Sequence, residues 1–454
     1  MEVFERSIEE QVRILQGLLA NNRMTRFRTE FLALHNYDQA QIFNQLKSED
    51  REKVYQYLSP SELANFFDAL EAQDEKIDGY FEEMLYPYAA NVLAEMYADN
   101  AVDVLNELKD RDRVNIYMHL MPAESAREIS QLINYLEDTA GAIMTTEYIA
   151  IEEGLTLAEA YYQLRQQAIE AETIYYVYVI DQHHRLTGVI SLRDLIINDE
   201  DKLVADVMNN RVISVQVNDD QLEVAKMVKD YDLLALPVVG FDQELLGIVT
   251  VDDVLDVMQE EAESDYSGLA AVDVSEKHIS PWSAAKSRLP WLITLLFLGM
   301  GTSTVISRYS GLVEEVSILS AFITLITGTA GNAGTQSLAV TVRQLNSKDH
   351  DKQVGKTFGF ELLTGAITGL VVALCVFLIV FIWKGNPFFG LIIAAAMFMA
   401  IVVANLAGLF IPYLMDKLGF DPAVASGPFI STLSDLTSVF IYFTIAGLFL
   451  AYLL

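Results

Sequence analysis

Three patterns of apolar and polar positions follow one another along the chain. Over residues 1–135, phrases such as REKVYQYL, SELANFFDAL and AVDVLNEL repeat apolar residues every three or four positions, the spacing of short amphipathic helices. SPSEL and MPAES set Ser or Pro just ahead of a helix start. Two stretches are alike, LKSEDREKVYQYLSPSELANFF and LKDRDRVNIYMHLMPAESAREI, which predicts helical hairpins stacked as a small superhelix. From about 141 to 256 strands alternate with helices, and GVISLRDLI recurs 59 residues later as GIVTVDDVL, each copy after a β-rich run. Five apolar segments close the chain, at about 289–307, 317–342, 360–383, 388–415 and 424–454, each long enough to cross a bilayer as a helix.

Charge divides the chain at the same place. Residues 277–454 carry 8 acidic and 10 basic side chains, leaving 55 acidic against 20 basic in residues 1–276. A front end near −35 repels nucleic acid and anionic lipid and attracts cations, divalent ones most strongly. Nucleic-acid binding is not expected. MEVFERSIEEQVRILQ has no apolar core of a signal peptide, so the acidic front is expected in the cytosol. Lys277, Lys286, Arg288, Arg343, Lys348, Lys352, Lys356 and Lys417 then fall on inner connections, against Arg308 and Lys384 outside, which places the C-terminus on the outer side. Cys375 is the only cysteine, so no internal disulfide and no thiolate zinc site can form, and the six histidines lack ligand spacing. No nucleophile with a base and no P-loop appears, so no enzyme is expected.

The polar residues inside the apolar segments carry the candidate chemistry. Asp435 lies 12 residues into the last segment, where a carboxylate costs roughly 2.5–3.5 kcal/mol on insertion scales and normally faces a pore or a partner. Asp421 stands near the inner interface, and Gly427-Pro428 is expected to interrupt the backbone ladder and line a water-filled path. TGTAGNAGTQS (327–337) puts Gly331, Asn332 and Gln336 in the second segment, Glu361 opens the third, and Thr432 stands one turn before Asp435. Carboxylate, amide and hydroxyl oxygens without thiolate or imidazole suit hard cations such as Mg²⁺, Ca²⁺ or Mn²⁺. DDVLDVMQEEAESD (252–265) packs seven carboxylates without a base, stacking Asp252, Asp256 and Glu260, and Glu261 with Asp265, at helical spacing; such a face is either solvated or a cation-dependent lever. Ser191 with Asp194 and Thr250 with Asp253, at the ends of the two related phrases, are either nucleotide contacts or ordinary helix caps.

The order of parts, with GNAGTQS in the second span and DPAVASGPFISTLSD in the last, resembles the MgtE family of bacterial magnesium channels and transporters over essentially the whole chain, and the segment 141–256 resembles a tandem CBS pair. The resemblance implies a multidomain membrane protein: an all-α helical-repeat domain (1–135), α/β tandem CBS domains (136–200 and 201–256), an acidic connecting helix (257–280) and a five-helix transmembrane domain (281–454). It implies a homodimer in the bacterial inner membrane with a Mg²⁺ pore closed by cytosolic Mg²⁺, and ATP on the CBS pair as a modulator. The family's pore aspartate falls on Asp435, with Asn332, Gln336 and Glu361 in the pore wall. Its sensor acids fall on Asp99, Asp103, Asp220, Glu223, Glu260, Glu261 and Asp265. TAGNAG stands here for GGNAG and DQLE for DQEE, so Leu222 replaces an acid. The alternatives are a membrane-anchored nucleotide or ion sensor and a transporter of Mn²⁺ or Co²⁺.

Overall fold

The computed structural model describes residues 7–70, 76–169, 171–272, 274, 280–345, 350–418 and 427–449. The chain divides into two compact units, Met1–Met258 and Gln259–Leu454. The division falls inside one continuous helix, Val251–Ala270.

Among the described residues, the first unit begins with ten short helices between Ile8 and Leu132. The two similar phrases fold alike, as the helix pairs Ser48–Tyr57 with Pro60–Phe67 and Arg111–Leu120 with Ala123–Leu132. Ser59 and Glu62 form a capping box around Pro60, so the turn read from SPSEL satisfies the first N–H groups of its helix. Arg51 and Arg113 occupy the same place in the two phrases, and both grip the helix Ile77–Glu83: Arg51 pairs with Glu83, and Arg113 with Asp78 at 2.9 Å and Glu82 at 3.0 Å. Between them Phe43, Phe66, Phe67, Tyr80 and Phe81 pack, tilted or edge to face, as a fully buried aromatic core.

Two three-stranded sheets follow, β1 (Ala150–Glu152), β2 (Tyr176–Ile180), β3 (Leu186–Ser191) and β4 (Val215–Gln216), β5 (Ala235–Val239), β6 (Leu245–Thr250). Each has a parallel pair and then an antiparallel one, in the order β1-β2-β3 and β4-β5-β6, as a duplicated unit requires. The glycine shared by GVIS and GIVT has one steric cause in both copies. A Cβ on Gly188 would strike the Met208 sulfur, and one on Gly247 would lie 2.6 Å from the Thr145 carbonyl oxygen.

The second unit is built on five long helices, Pro281–Arg308, Ser320–Leu345, His350–Lys384, Pro387–Lys417 and Gly427–Leu448, here the first to fifth membrane helices. Among the described residues the first, third, fourth and fifth are long and apolar enough to cross a membrane. The second is 26 residues long and carries the polar island. The first helix buries no residue and exposes Leu292, Leu296 and Phe297, whereas Ile393, Tyr442 and Phe443 form a closed core. Gly427 and Pro428 are helical and open the described part of the fifth helix, and residues 419–426 lie outside the described residues.

Candidate functional site

In the second unit the second and fifth membrane helices meet along glycines. Gly331 faces Ser431 and Asp435: a Cβ on it would lie 2.8 Å from the Ser431 hydroxyl and 3.7 Å from Asp435 Oδ1. Gly334 faces Ser434 in the same way at 2.9 Å. Asp435 is half-buried, and among the described residues its carboxylate has no hydrogen-bond or ion-pair partner. Thr432 turns its hydroxyl back onto the Pro428 carbonyl at 2.8 Å. Asn332 and Gln336 share the exposed face of the second helix, away from the buried Gly331 and Gly334. Glu361 is 4% exposed and sits where the Ser337 hydroxyl lies 3.2 Å from its Oε2 and 2.9 Å from the Asn405 carbonyl oxygen. The structure thus joins Gly331 to Asp435 and sets Glu361 into a separate polar contact among the second, third and fourth helices. Asp421 lies outside the described residues.

Helix Val251–Ala270 reaches the start of the fifth membrane helix. Leu269 packs with Ile411, Met415 and Phe429, and its carbonyl oxygen would be 3.2 Å from a Cβ on Gly427. Asp435 lies eight positions beyond Gly427, about 12 Å along a helix.

In the first unit the acids that sequence alone leaves scattered converge. One carboxylate oxygen from each of Glu172, Asp252 and Asp253 lies within 4.8 Å of the other two. Among the described residues, Glu172 Oε2 is buried without a hydrogen-bond partner. Asp99, 8% exposed, stands close enough to feel Asp253 and Glu172, and its Oδ1 accepts the Asn100 N–H at 2.8 Å. Burial first, then Asp253 and Glu172, push the Asp99 carboxyl well above its usual range. Burial followed by Asp253 and Asp252 pushes Glu172 up to about 8. Asp253 rises to about 6 by burial, against the bond from Thr250 that lowers it. Asp68 rises to about 7 through burial, although it accepts hydrogen bonds from Tyr97 N–H and Asn100 Nδ2. Buried carboxylates that resist ionising together are relieved by a divalent cation, and an all-carboxylate donor set fits a hard one.

The remaining sensor candidates are placed differently. Asp103 is exposed one turn beyond Asp99 on helix Ala98–Glu107. Asp220 is the N-cap of helix Gln221–Asp230, accepting the Leu222 and Glu223 N–H groups, and Glu223 is exposed. Leu222, the departure from DQEE, packs half-buried against the main core. Asp256 and Glu260 are exposed on the Val251–Ala270 helix, with Glu261 and Asp265 partly covered. Ser191 and Asp194 form a capping box, and Thr250 with Asp253 repeats its carboxylate half, the hydroxyl and N–H of each donating to the carboxylate. Ser191 and Asp194 are partly exposed, while Thr250 is buried.

Glu172 and Asp68 escape a reading of sequence alone. Asp68 ends helix Pro60–Phe67 and Glu172 lies in the turn before β2, so no spacing links either to Asp99 or Asp253. The weak signal available is that Glu172 is the last acid ahead of the apolar run IYYVYVI.

The family profile of MgtE, described as a divalent cation transporter, matches residues 323–445; that of the MgtE intracellular N domain matches 34–138; and that of the CBS domain matches 140–200 and 204–260. The magnesium transporter MgtE of Enterococcus faecalis is 57% identical over 446 residues, covering 98% of each chain. Among solved structures, the soluble part of a magnesium transporter is 53% identical with a TM-score of 0.55, covering 56% of this chain and 100% of its own. The cytosolic domain of the Mg²⁺ channel MgtE in complex with ATP is 37% identical with a TM-score of 0.51, covering 54% and 99%. A likeness that spans nearly the whole of both chains, with all three profiles in the expected order, identifies this chain as a member of the MgtE family.

Proposed function

We propose that this protein conducts Mg²⁺ across the bacterial inner membrane through a path lined by Asp435, and that Mg²⁺ bound among its acidic cytosolic domains closes that path. The observation that carries the reading is Asp435 itself, a carboxylate on a membrane helix without a protein partner among the described residues, set beside Gly331. Mg²⁺ sheds water reluctantly and is commonly held by one or two carboxylates through retained waters, which one aspartate per subunit of a homodimer satisfies. The five helices span the membrane with the N-terminus in the cytosol and the C-terminus outside, in accord with the basic inner connections. The exposed apolar face of the first membrane helix is the surface we assign to lipid and the second subunit.

The sensor in this reading is the cluster of Asp99, Glu172, Asp252 and Asp253. Mg²⁺ there ties the helical domain to the CBS pair; when it leaves, repulsion among acids separates them. Helix Val251–Ala270, with Glu260, Glu261 and Asp265 as further cation contacts, transmits the change through Leu269 to Gly427. Moving a gate from 1:99 to 99:1 takes about 5.5 kcal/mol of differential binding, which several weak sites supply together. An adenine nucleotide on the CBS pair modulates this balance. The partly exposed Ser191–Asp194 turn supports that role more than the buried Thr250–Asp253 turn, and a homologous cytosolic domain holds ATP.

The test is flux of Mg²⁺, with Mn²⁺ and Co²⁺ in parallel, into liposomes holding the purified protein. Asp435→Asn should lower Mg²⁺ flux at least tenfold in protein that folds normally. Equal flux in both proteins contradicts the assignment.

A further inference from the structure

The helix Ala98–Glu107 starts without a cap of its own, because its N-cap residue is Tyr97 and no Tyr97 side-chain atom bonds its first turn. Its leading N–H groups are satisfied by carboxylates instead: Tyr97 N–H by Asp68 at 3.3 Å, Ala98 N–H by Glu147 Oε1 at 3.1 Å and Asn100 N–H by Asp99 at 2.8 Å. Such acceptors are favoured at a helix N-terminus, where unpaired N–H groups and the helix dipole attract negative charge. Of the three, Glu147 alone comes from outside the helical domain, in the segment that leads into β1.

The rest of Glu147 is committed to the CBS pair. Its Oε2 accepts the Thr145 hydroxyl and, at 3.1 Å, the Thr146 N–H. Thr145 is in turn locked to β6, donating its N–H to the Ile248 carbonyl at 2.8 Å and accepting the Ile248 N–H at 3.0 Å. The backbone carbonyl of Glu147 accepts the N–H of Glu172 at 2.9 Å. One residue therefore holds the residue before Asp99, the backbone of Glu172 and, through Thr145, the strand that ends three residues before Asp253. Both oxygens of Glu147 are engaged by donors, whereas Glu172 Oε2 is buried with none. The two glutamates differ accordingly: Glu172 has an oxygen to give a cation, and Glu147 is occupied.

We propose that Glu147 is a positioning residue that clamps the start of helix Ala98–Glu107 to the CBS pair and so brings Asp99 into register with Glu172 and Asp253. The clamp rests on the reading of that cluster as a Mg²⁺ sensor, and it adds a contact that no cation supplies. Glu147 acts by accepting hydrogen bonds, so its shape and acceptor matter more than its charge.

The experiment is a Mg²⁺ titration of the full-length protein, read as protection from limited trypsin cleavage, with flux measured separately without Mg²⁺ on the side of the acidic domains. Glu147→Ala should raise the Mg²⁺ concentration for half protection at least tenfold and leave flux without Mg²⁺ unchanged. Glu147→Gln keeps an oxygen for Ala98 N–H but turns its amide nitrogen towards the Thr146 N–H, so it should restore part of that shift. Ala98→Pro provides an independent route: Ala98 is the first helical position, where proline is well accepted, so the substitution deletes the N–H given to Glu147 and spares the helix. It should reproduce the shift of Glu147→Ala, and the double variant should be no worse than either alone. A wild-type midpoint in Ala98→Pro, or in folded Glu147→Ala, overturns the clamp. A Glu147→Gln shift as large as that of Glu147→Ala overturns it too, because the oxygen kept for Ala98 N–H would then contribute nothing. Wild-type protein that gains no protection from Mg²⁺ would instead remove the sensor reading on which the clamp depends.

Discussion

Replacing Gly331 by alanine separates the ion path from the packing that surrounds it. The new methyl would lie 2.8 Å from the Ser431 hydroxyl oxygen, the far end of a side chain that can rotate, and 3.7 Å from Asp435 Oδ1, an ordinary contact. Alanine in a helix interior gains about 1 kcal/mol over glycine. Moving Ser431 costs about as much, at the low end of the 1–3 kcal/mol typical of overpacking. Stability should therefore change by less than about 1 kcal/mol. Flux should fall several-fold, because the methyl covers the space beside the Asp435 carboxylate where a hydrated ion's waters would stand. Gly408→Ala is the matched control. Its Cβ would collide with the Gly334 carbonyl oxygen and lie 2.9 Å from Ser337 Cβ and 3.0 Å from the Leu338 nitrogen, so the second and fourth membrane helices must move apart. That cost should reach about 3 kcal/mol or more and appear as a lower melting temperature. The assays are thermal unfolding in detergent and Mg²⁺ uptake by liposomes carrying equal protein. Wild-type flux in Gly331→Ala, or a loss of stability as large as that of Gly408→Ala, would refute the placement of the path along this face.

Further outcomes follow from the same contacts. Glu172→Gln removes one charge from the cluster, so it should raise the melting temperature in cation-free buffer at pH 8 and raise the Mg²⁺ needed for protection roughly tenfold, each unit of log affinity being about 1.4 kcal/mol; a lower melting temperature would mean that Glu172 is a structural anchor. Asp68, Glu172 and Asp253 have native values raised to about 7, 8 and 6. A raised value means that the folded state binds protons more tightly than the unfolded one, so their contribution is present at low pH and lost as pH rises through these values. Cation-free protein should therefore lose stability between about pH 4 and 8, and added Mg²⁺ should stabilise it more at pH 8 than at pH 6; equal Mg²⁺ shifts at the two pH values would contradict this. Ser337→Ala leaves Glu361 and the Asn405 carbonyl without its hydroxyl and should cost about 1–3 kcal/mol, measured by thermal unfolding. Neutralising Glu260, Glu261 and Asp265 together should leave the path open at high internal Mg²⁺, and unchanged inhibition would remove those acids from the gate.

What the sequence reveals depends on the range of the interaction. The paired phrases around Arg51 and Arg113 are local helix hairpins, so periodicity and caps suffice to read them, down to the capping box at Ser59. The CBS repeat is legible because its shared glycine, hydroxyl and aspartate serve the same close approach and the same helix cap in both copies. Asp435 is legible because a carboxylate in an apolar run is costly wherever it lands. Glu147 and Glu172 were silent. Their meaning lies in hydrogen bonds and burial between segments far apart in sequence, and no periodicity encodes which of two acids has its oxygens occupied.

The most direct test of self-limiting Mg²⁺ conduction is flux into liposomes as a function of Mg²⁺ on the side facing the acidic domains, for wild type beside the triple variant Asp99→Asn, Glu172→Gln, Asp253→Asn. Wild-type flux should be high at low Mg²⁺ and fall as Mg²⁺ rises, while the triple variant keeps conducting. Wild-type flux that ignores Mg²⁺, or a triple variant that closes at the wild-type concentration, would contradict the account.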